Sequence, residues 1–197
     1  MKKKNIVLIG FMGSGKSTVG IKLSYRLRRI VEDTDKLIEK KTGRRISDIF
    51  ATDGEAYFRE METEMLKDLC NSNEKKILSV GGGTPVREEN RPLLKELGTV
   101  VYLRIRPETV CERLKGDTTR PLLQGDNSQE KVRTMMATRK EAYESCADLI
   151  IDVDDKNSAQ IMDIIEAYME EREKNEDFSD QWTESEFPRN QRKKCLW

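Results

Sequence analysis

The chain has 197 residues, room for one domain of ordinary size with its own core. Lys+Arg and Asp+Glu both number 36, so the formal net charge is zero, which argues against a dominant nucleic-acid or acidic-membrane surface. Histidine is absent, which removes His-dependent triads and His-containing metal sites and leaves carboxylates as the expected general bases.

The N-terminus, "MKKKNIVLIGF", is basic and then apolar. Its apolar part is short and ends in a glycine loop, so it predicts a first strand over 5–10, not an export signal. No apolar run approaches the roughly 20 residues of a membrane helix. Val19, Leu23 and Leu27, spaced by four, predict a helix after the glycine loop. "IVEDTD" (30–35) is a weaker strand candidate, because Glu32 interrupts it. Phe58, Met61, Met65 and Leu69 form another helical stripe. "KILSVGGG" (76–83), "TVVYLRI" (99–105) and "DLIIDV" (148–153) are nearly continuous in apolar residues, as strands buried on both faces of a parallel sheet are. Pro107 opens a helix where proline is tolerated. Ile161, Ile164, Ile165 and Tyr168 mark the last one. Strand alternating with helix predicts an α/β fold with crossover connections, without internal repeat or second domain.

Two segments break this rhythm. The stretch 115–130 is polar and turn-rich around an Arg-Pro pair, and loops of that length are usually functional or disordered. From about Lys174 the chain has no period and many charges, which predicts a disordered or loosely attached tail, 174–197, behind a domain of 1–173. The four cysteines (Cys70, Cys111, Cys146, Cys195) form no CxxC, and a reducing, cytoplasmic setting is expected.

"GFMGSGKST" meets the pattern G-x-x-x-x-G-K-[ST] at Gly10, Gly15, Lys16 and Ser17, between a predicted strand and a predicted helix. Glycines let several backbone N–H groups converge on one phosphate, and the helix N-terminus adds partial positive charge. Lys16 is placed to reach the β- and γ-phosphates and Ser17 to ligate Mg²⁺. The loop is therefore expected to hold a nucleoside triphosphate. No NKxD-like segment for guanine is present.

Asp33 and Asp35 in "DTD" could both face the cleft, one holding Mg²⁺ through water and the other accepting a hydroxyl proton. The alternative is a solvated acidic turn in which Asp35 caps the next helix. Gly81, Gly82 and Gly83 either bring backbone close to a ligand or merely form a flexible strand exit. The strand before them ends without an acid, which raises the value of Asp33 on the metal side. Arg139 falls on the same helical face as Val132, Met135, Met136, Tyr143 and Cys146, and an inward cation calls for an anion, in a ligand or in an ion pair. Arg59 has Glu55 four before it and Glu62 three after, the spacing of a surface ion-pair network. Arg120, in the long polar loop, is either a solvated arginine or a group that closes over phosphates.

Taken in order, "GFMGSGKSTVG", "DTD", "ISDIFATDGEAYFREME", "SVGGGT", "TTRPLL" and the arginine of "MMATRKEAY" resemble the shikimate kinase family over about Asn5 to Met169. The resemblance implies a three-layer α/β P-loop fold: a five-stranded parallel sheet of order 2-3-1-4-5 with helices on both faces. It implies transfer of the ATP γ-phosphoryl group to the 3-hydroxyl of shikimate, on the route to chorismate and aromatic amino acids. By position, Gly13, Ser14, Gly15, Lys16, Ser17 and Thr18 would hold ATP, with Arg113 stacked on adenine. Asp35 would bind the reacting diol and act as, or near, the base. Ser17 and, through water, Asp33 would hold Mg²⁺. Arg59 and Arg139 would clamp the shikimate carboxylate, Glu62 would orient Arg59, and Gly81 to Gly83 would present backbone to the substrate. Arg120 would be the arginine of a lid over about 113–128. A cytoplasmic monomer that binds neither nucleic acid nor membrane is expected.

Arg28, Arg29 and Glu32 depart from the family pattern, making the second strand more polar than expected. Rival readings are a gluconate-kinase-like small-molecule kinase and a non-catalytic shikimate- or nucleotide-binding regulator.

Overall fold

The computed structural model describes residues 5–115 and 128–180, without the side chains of Ser128 and of residues 176–180. Arg120, most of the expected 113–128 lid and residues 181–197 of the tail lie outside the described residues. The chain divides into two compact units, Met1–Ile161 and Met162–Trp197.

The first unit is built on five strands: β1 (Asn5–Ile9), β2 (Ile30–Asp33), β3 (Lys76–Ser79), β4 (Gly98–Arg104) and β5 (Leu149–Asp152). Every pairing is parallel, and the order is β2-β3-β1-β4-β5, as the resemblance implied. Parallel neighbours require crossovers, and helices supply them: α1 (Lys16–Leu27), α2 (Thr34–Thr42), α3 (Ile46–Thr52), α4 (Gly54–Cys70), α5 (Asn90–Leu97), α6 (Pro107–Arg113) and α7 (Ser128–Cys146). Pro107 stands in the first turn of α6, where its missing N–H costs nothing.

The central strands match the apolar-run reading. All five residues of β1 are buried, as are the first six of β4. The edges do not. In β5 Ile150 is 38% exposed, so "DLIIDV" is an edge strand open on one side and not a doubly covered one. At the other edge, β2 forms despite its charges. Glu32 lies across from Leu78 in register, and its carboxylate pairs with Lys76 at 3.0 Å. An edge position tolerates such a charge because one side of the strand needs no apolar cover.

One core cluster joins Val7, Ile9, Leu78, Val80, Val100 and Tyr102 from the sheet region to Phe58, Leu66, Leu94 and Tyr143 from the helices. It fixes α4 and α7 relative to the carboxyl ends of β1 and β3. Ligand sites of open α/β sheets lie at that end.

A last helix, α8 (Ser158–Asp180), opens within the first unit. In the second unit it carries Ile164, Ile165 and Tyr168 at helical spacing. It continues through Asp180, past the Lys174 boundary expected for the tail. The stretch "EREKNED" has many charges but no glycine or proline, so nothing in it stops a helix already started.

Candidate active site

A cavity of about 760 Å³ opens at the carboxyl ends of the strands. It is lined by the loop after β1 (Met12 to Gly15), Asp33 at the end of β2, Val80 to Gly83 after β3, and Val153 after β5. Lys16, Ser17, Thr18, Asp35, Arg59, Arg113 and Arg139 also line it. All the site residues expected from the sequence therefore meet in one place, Arg120 excepted, which lies outside the described residues.

The phosphate side is a backbone structure. Gly13 and Gly15 have φ of 77° and 92°, a left-handed conformation that side chains disfavour. Gly15 stands immediately before α1, so the free N–H groups of that helix open onto the cavity. Lys16 Nζ donates to the carbonyls of Gly10 (2.8 Å) and Phe11 (3.2 Å), which hold it across the loop. Arg113 donates to the carbonyls of Gly13 (3.0 Å) and Val153 (3.4 Å), beside the same loop. Ser14 Oγ is buried without a hydrogen-bond partner among the described residues.

Asp33 and Asp35 have separate tasks. Asp33, not Asp35, caps α2: its Oδ1 accepts from the N–H groups of Asp35 (3.1 Å) and Lys36 (3.4 Å). The helix begins at Thr34, two residues earlier than a cap at Asp35 would require. Thr34 is buried and its hydroxyl accepts from Gly81 N–H at 3.2 Å, tying the turn after β2 to the glycine run. Asp35 is left aimed at the cavity. Its Oδ1 is buried with no hydrogen-bond partner among the described residues. Burial, with the Asp33 and Glu62 charges adding, pushes its pKa from 3.8 up to about 6, although Lys16 and Arg59 pull the other way. A buried oxygen without a partner in a native fold asks for a ligand group.

Arg59 makes the ion pairs its spacing predicts, to Glu55 (2.7 Å) and to Glu62 (2.6 Å). Glu62 itself is 2% exposed, and its other oxygen accepts from the Thr84 hydroxyl at 2.5 Å. Arg59 thus lines the cavity while its partners hold it from behind. Arg139 pairs with no described carboxylate. It lies 5.7 Å from the centre of the Phe11 ring, within cation–π range, and its Nη1 is 3.4 Å from the Gly82 carbonyl. The inward cation read from the helical stripe is present, and the cavity in front of it is where an anion fits.

The glycine run serves space and not conformation, since none of Gly81, Gly82 and Gly83 has a left-handed φ. A Cβ on Gly81 would stand 2.6 Å from Glu62 Oε1 and 2.9 Å from Asp35 Oδ1. A Cβ on Gly83 would collide with the Arg59 guanidinium. Gly81 and Gly83 leave room for the charged side chains packed over them, whereas a Cβ on Gly82 would meet nothing closer than 3.4 Å.

Hard oxygen donors suit Mg²⁺. Ser17 and Asp33 both line the cavity, and the second oxygen of Asp33 has no hydrogen-bond partner among the described residues, so the pair fits that ion.

A family model described as shikimate kinase matches residues 12–170. The chain belongs to the shikimate kinase family. A shikimate kinase of Bacillus cereus (strain AH187) is 47% identical over 160 residues, covering 81% of this chain and 94% of that protein. One of Coxiella burnetii (strain CbuG_Q212) is 44% identical over 165 residues, covering 82% and 92%. The solved structure of shikimate kinase from Acinetobacter baumannii in complex with shikimate matches with a TM-score of 0.79 at 36% identity, covering 86% of this chain and 94% of that one. As a shikimate kinase by family, the chain is an enzyme, an ATP-dependent small-molecule kinase.

Several lining residues of this kinase were not picked out from the sequence. Ile46, Phe50 and Phe58 give the acceptor side apolar walls. Lys156 and Ser158 border the cavity beyond Val153. The position of Thr34 between two acids was the one signal available for its bridging role. Nothing local marked Phe11 or Thr84, which act through residues remote in the chain.

Proposed function

We propose that the chain transfers the γ-phosphoryl group of ATP to the 3-hydroxyl of shikimate, giving shikimate 3-phosphate and ADP. Family membership supports this reading, and the observation that carries it within the molecule is Asp35. Its buried, unpartnered Oδ1 sits in the cavity that holds both the P-loop and the two arginines. Carboxyl chemistry tuned to about 6 suits a group that must take a hydroxyl proton near neutral pH.

Each residue then has a task. Backbone N–H groups of Gly13 to Ser17 and the Lys16 ammonium hold the β- and γ-phosphates. Arg59 and Arg139 receive the acceptor carboxylate through charge-assisted hydrogen bonds, and so fix which hydroxyl faces the phosphate. Asp35 Oδ1 accepts the hydrogen bond, and then the proton, of that hydroxyl. Arg113 lies beside the adenine, and Arg120 is the arginine that meets the transferred charge. Ser17 and, through water, Asp33 would hold Mg²⁺, which would supply neutralising charge to the phosphates. The enzyme works as a cytoplasmic monomer.

The test is ADP release from Mg-ATP with and without shikimate, with gluconate and a nucleoside monophosphate as controls. Stimulation by shikimate alone is expected. Turnover on gluconate or the monophosphate instead would keep a P-loop kinase and discard the acceptor. No turnover with any of them would favour a binding regulator.

A further inference from the structure

Gly82 is where the acceptor side of the cavity is tied together. Its carbonyl accepts a 2.6 Å hydrogen bond from the Tyr143 hydroxyl and a longer one, 3.4 Å, from Arg139 Nη1. Tyr143 stands one helical turn after Arg139 on α7, so both side chains leave the helix on the same face. The tyrosine is 1% exposed, and its ring packs on that of Tyr102 with centroids 5.0 Å apart. Burial pushes the phenol's pKa upward although the adjacent Arg139 guanidinium pulls the other way, so the hydroxyl keeps its proton to donate. The proposed chemistry assigns Tyr143 no contact with either substrate.

The two bonds differ in quality. At 2.6 Å the phenol satisfies the carbonyl, whereas 3.4 Å is a weak contact for a guanidinium. Arg139 therefore spends little of its donor capacity on Gly82. We propose that Tyr143 is a positioning residue for the acceptor: its hydroxyl occupies the Gly82 carbonyl and so leaves the Arg139 guanidinium free to turn to the acceptor's carboxylate. Without that hydroxyl the half-buried carbonyl lacks its main donor, an expensive state, and Arg139 is the donor already beside it. The arginine is drawn onto the protein backbone and away from the ligand. The Phe11 ring on the guanidinium keeps it within reach of both positions.

This inference rests on the shikimate kinase reading, and its test separates the two. Tyr143→Phe keeps the ring and its packing and removes only the hydroxyl. Steady-state kinetics on shikimate should show the acceptor KM raised about five- to tenfold, the net worth of one hydrogen bond, with the ATP KM and kcat within twofold of the wild type. On an Arg139→Ala background the same substitution should add nothing to the acceptor KM, because no guanidinium remains to be misdirected. A merely structural tyrosine would raise both KM values, lower the melting temperature and add its full penalty on either background, and that result would overturn the proposal. An unchanged acceptor KM would overturn it as well. Wild-type enzyme inert to shikimate would sink the function reading, and this inference with it. Wild-type turnover with an unaltered Tyr143→Phe enzyme would sink this inference alone.

Discussion

The two halves of the cavity are made differently. The phosphate half comes from nine consecutive residues, Gly10 to Thr18, and its working groups are mostly backbone N–H groups aimed by two left-handed glycines and a helix start. The acceptor half comes from side chains on α2, α4 and α7, packed over a run of glycines that supplies room at Gly81 and Gly83 and a backbone carbonyl at Gly82. The first half is set mainly by local geometry, with Arg113 of α6 donating to the Gly13 carbonyl beside it. The second exists only when the core has fixed three helices against β1 and β3. A substitution on the phosphate side should act on ATP, and one on the acceptor side on shikimate. That separation can be broken or sharpened by experiment.

The largest effect is expected from Asp35→Asn. The amide cannot take a proton, and general-base groups contribute about 10²–10⁴-fold, so kcat should fall by that order. The ATP dissociation constant, read by calorimetry, should stay within about twofold, since Asp35 belongs to the other half. Retention of wild-type kcat would remove the base assignment. A large loss of ATP affinity would show that the halves are not separable.

Arg139→Ala comes next. Loss of a charge-assisted pair with a carboxylate should raise the shikimate KM about 10–100-fold, with a much smaller change in the ATP KM. An unchanged acceptor KM would take Arg139 out of the clamp. Gly83→Ala tests the same half through space alone. Its Cβ has to displace the Arg59 guanidinium, so an acceptor KM raised about tenfold is expected, with ATP binding spared. Gly13→Ala should do the reverse, because its φ of 77° belongs to the phosphate half. Equal damage to both substrates from either glycine would erase the contrast.

The same division explains what the sequence made legible. The P-loop was readable because motif, strand and helix are contiguous, and the local rule is enough. Arg139 was readable because an arginine on an apolar helical stripe conflicts with burial unless something anionic meets it. Parallel strands were readable from their apolar runs where they are central. At β2 and β5 the strands also form where the sequence placed them, but β5 is not buried on both faces, because edge strands need not be apolar on both sides. The two roles of "DTD" were not separable from sequence, since which carboxylate caps α2 depends on where β2 ends against Ser79. The reason for Gly81 and Gly83 was also hidden. Space for Asp35, Glu62 and Arg59 is a property of residues remote in the chain, and no local pattern records it. Tyr143 looked like core for the same reason: its hydroxyl partner is far from it in sequence.

The pH profile sharpens the comparison further. Asp35 at about 6 in the free enzyme must lose its proton before it can accept one. The value of kcat/KM for shikimate should therefore fall about tenfold per pH unit below 6 and level off above it. The residual activity of Asp35→Asn should lack this acidic limb. A profile flat down to pH 5 would mean that Asp35 only positions the diol.

The smallest effect concerns stability, and its sign is informative. Folding raises the Asp35 pKa from 3.8 to about 6, so the native state holds that proton more tightly than the unfolded chain does. The contribution of this group to stability is full below 3.8 and is lost as pH rises through about 6. At pH 8 the folded enzyme thus carries an unfavourable buried charge next to Asp33 and Glu62. The shift corresponds to about 3 kcal/mol at most, and residual solvent contact reduces it to about 1–2 kcal/mol. Asp35→Asn should be more stable than the wild type by that amount at pH 8, with the gain shrinking towards pH 4. Denaturant titrations of both proteins at the two pH values would measure it. A variant less stable at pH 8, or a difference independent of pH, would show that the carboxylate is not under charge strain. The expected outcome would instead place a charge strain on the acceptor half, at the carboxylate proposed to take the proton.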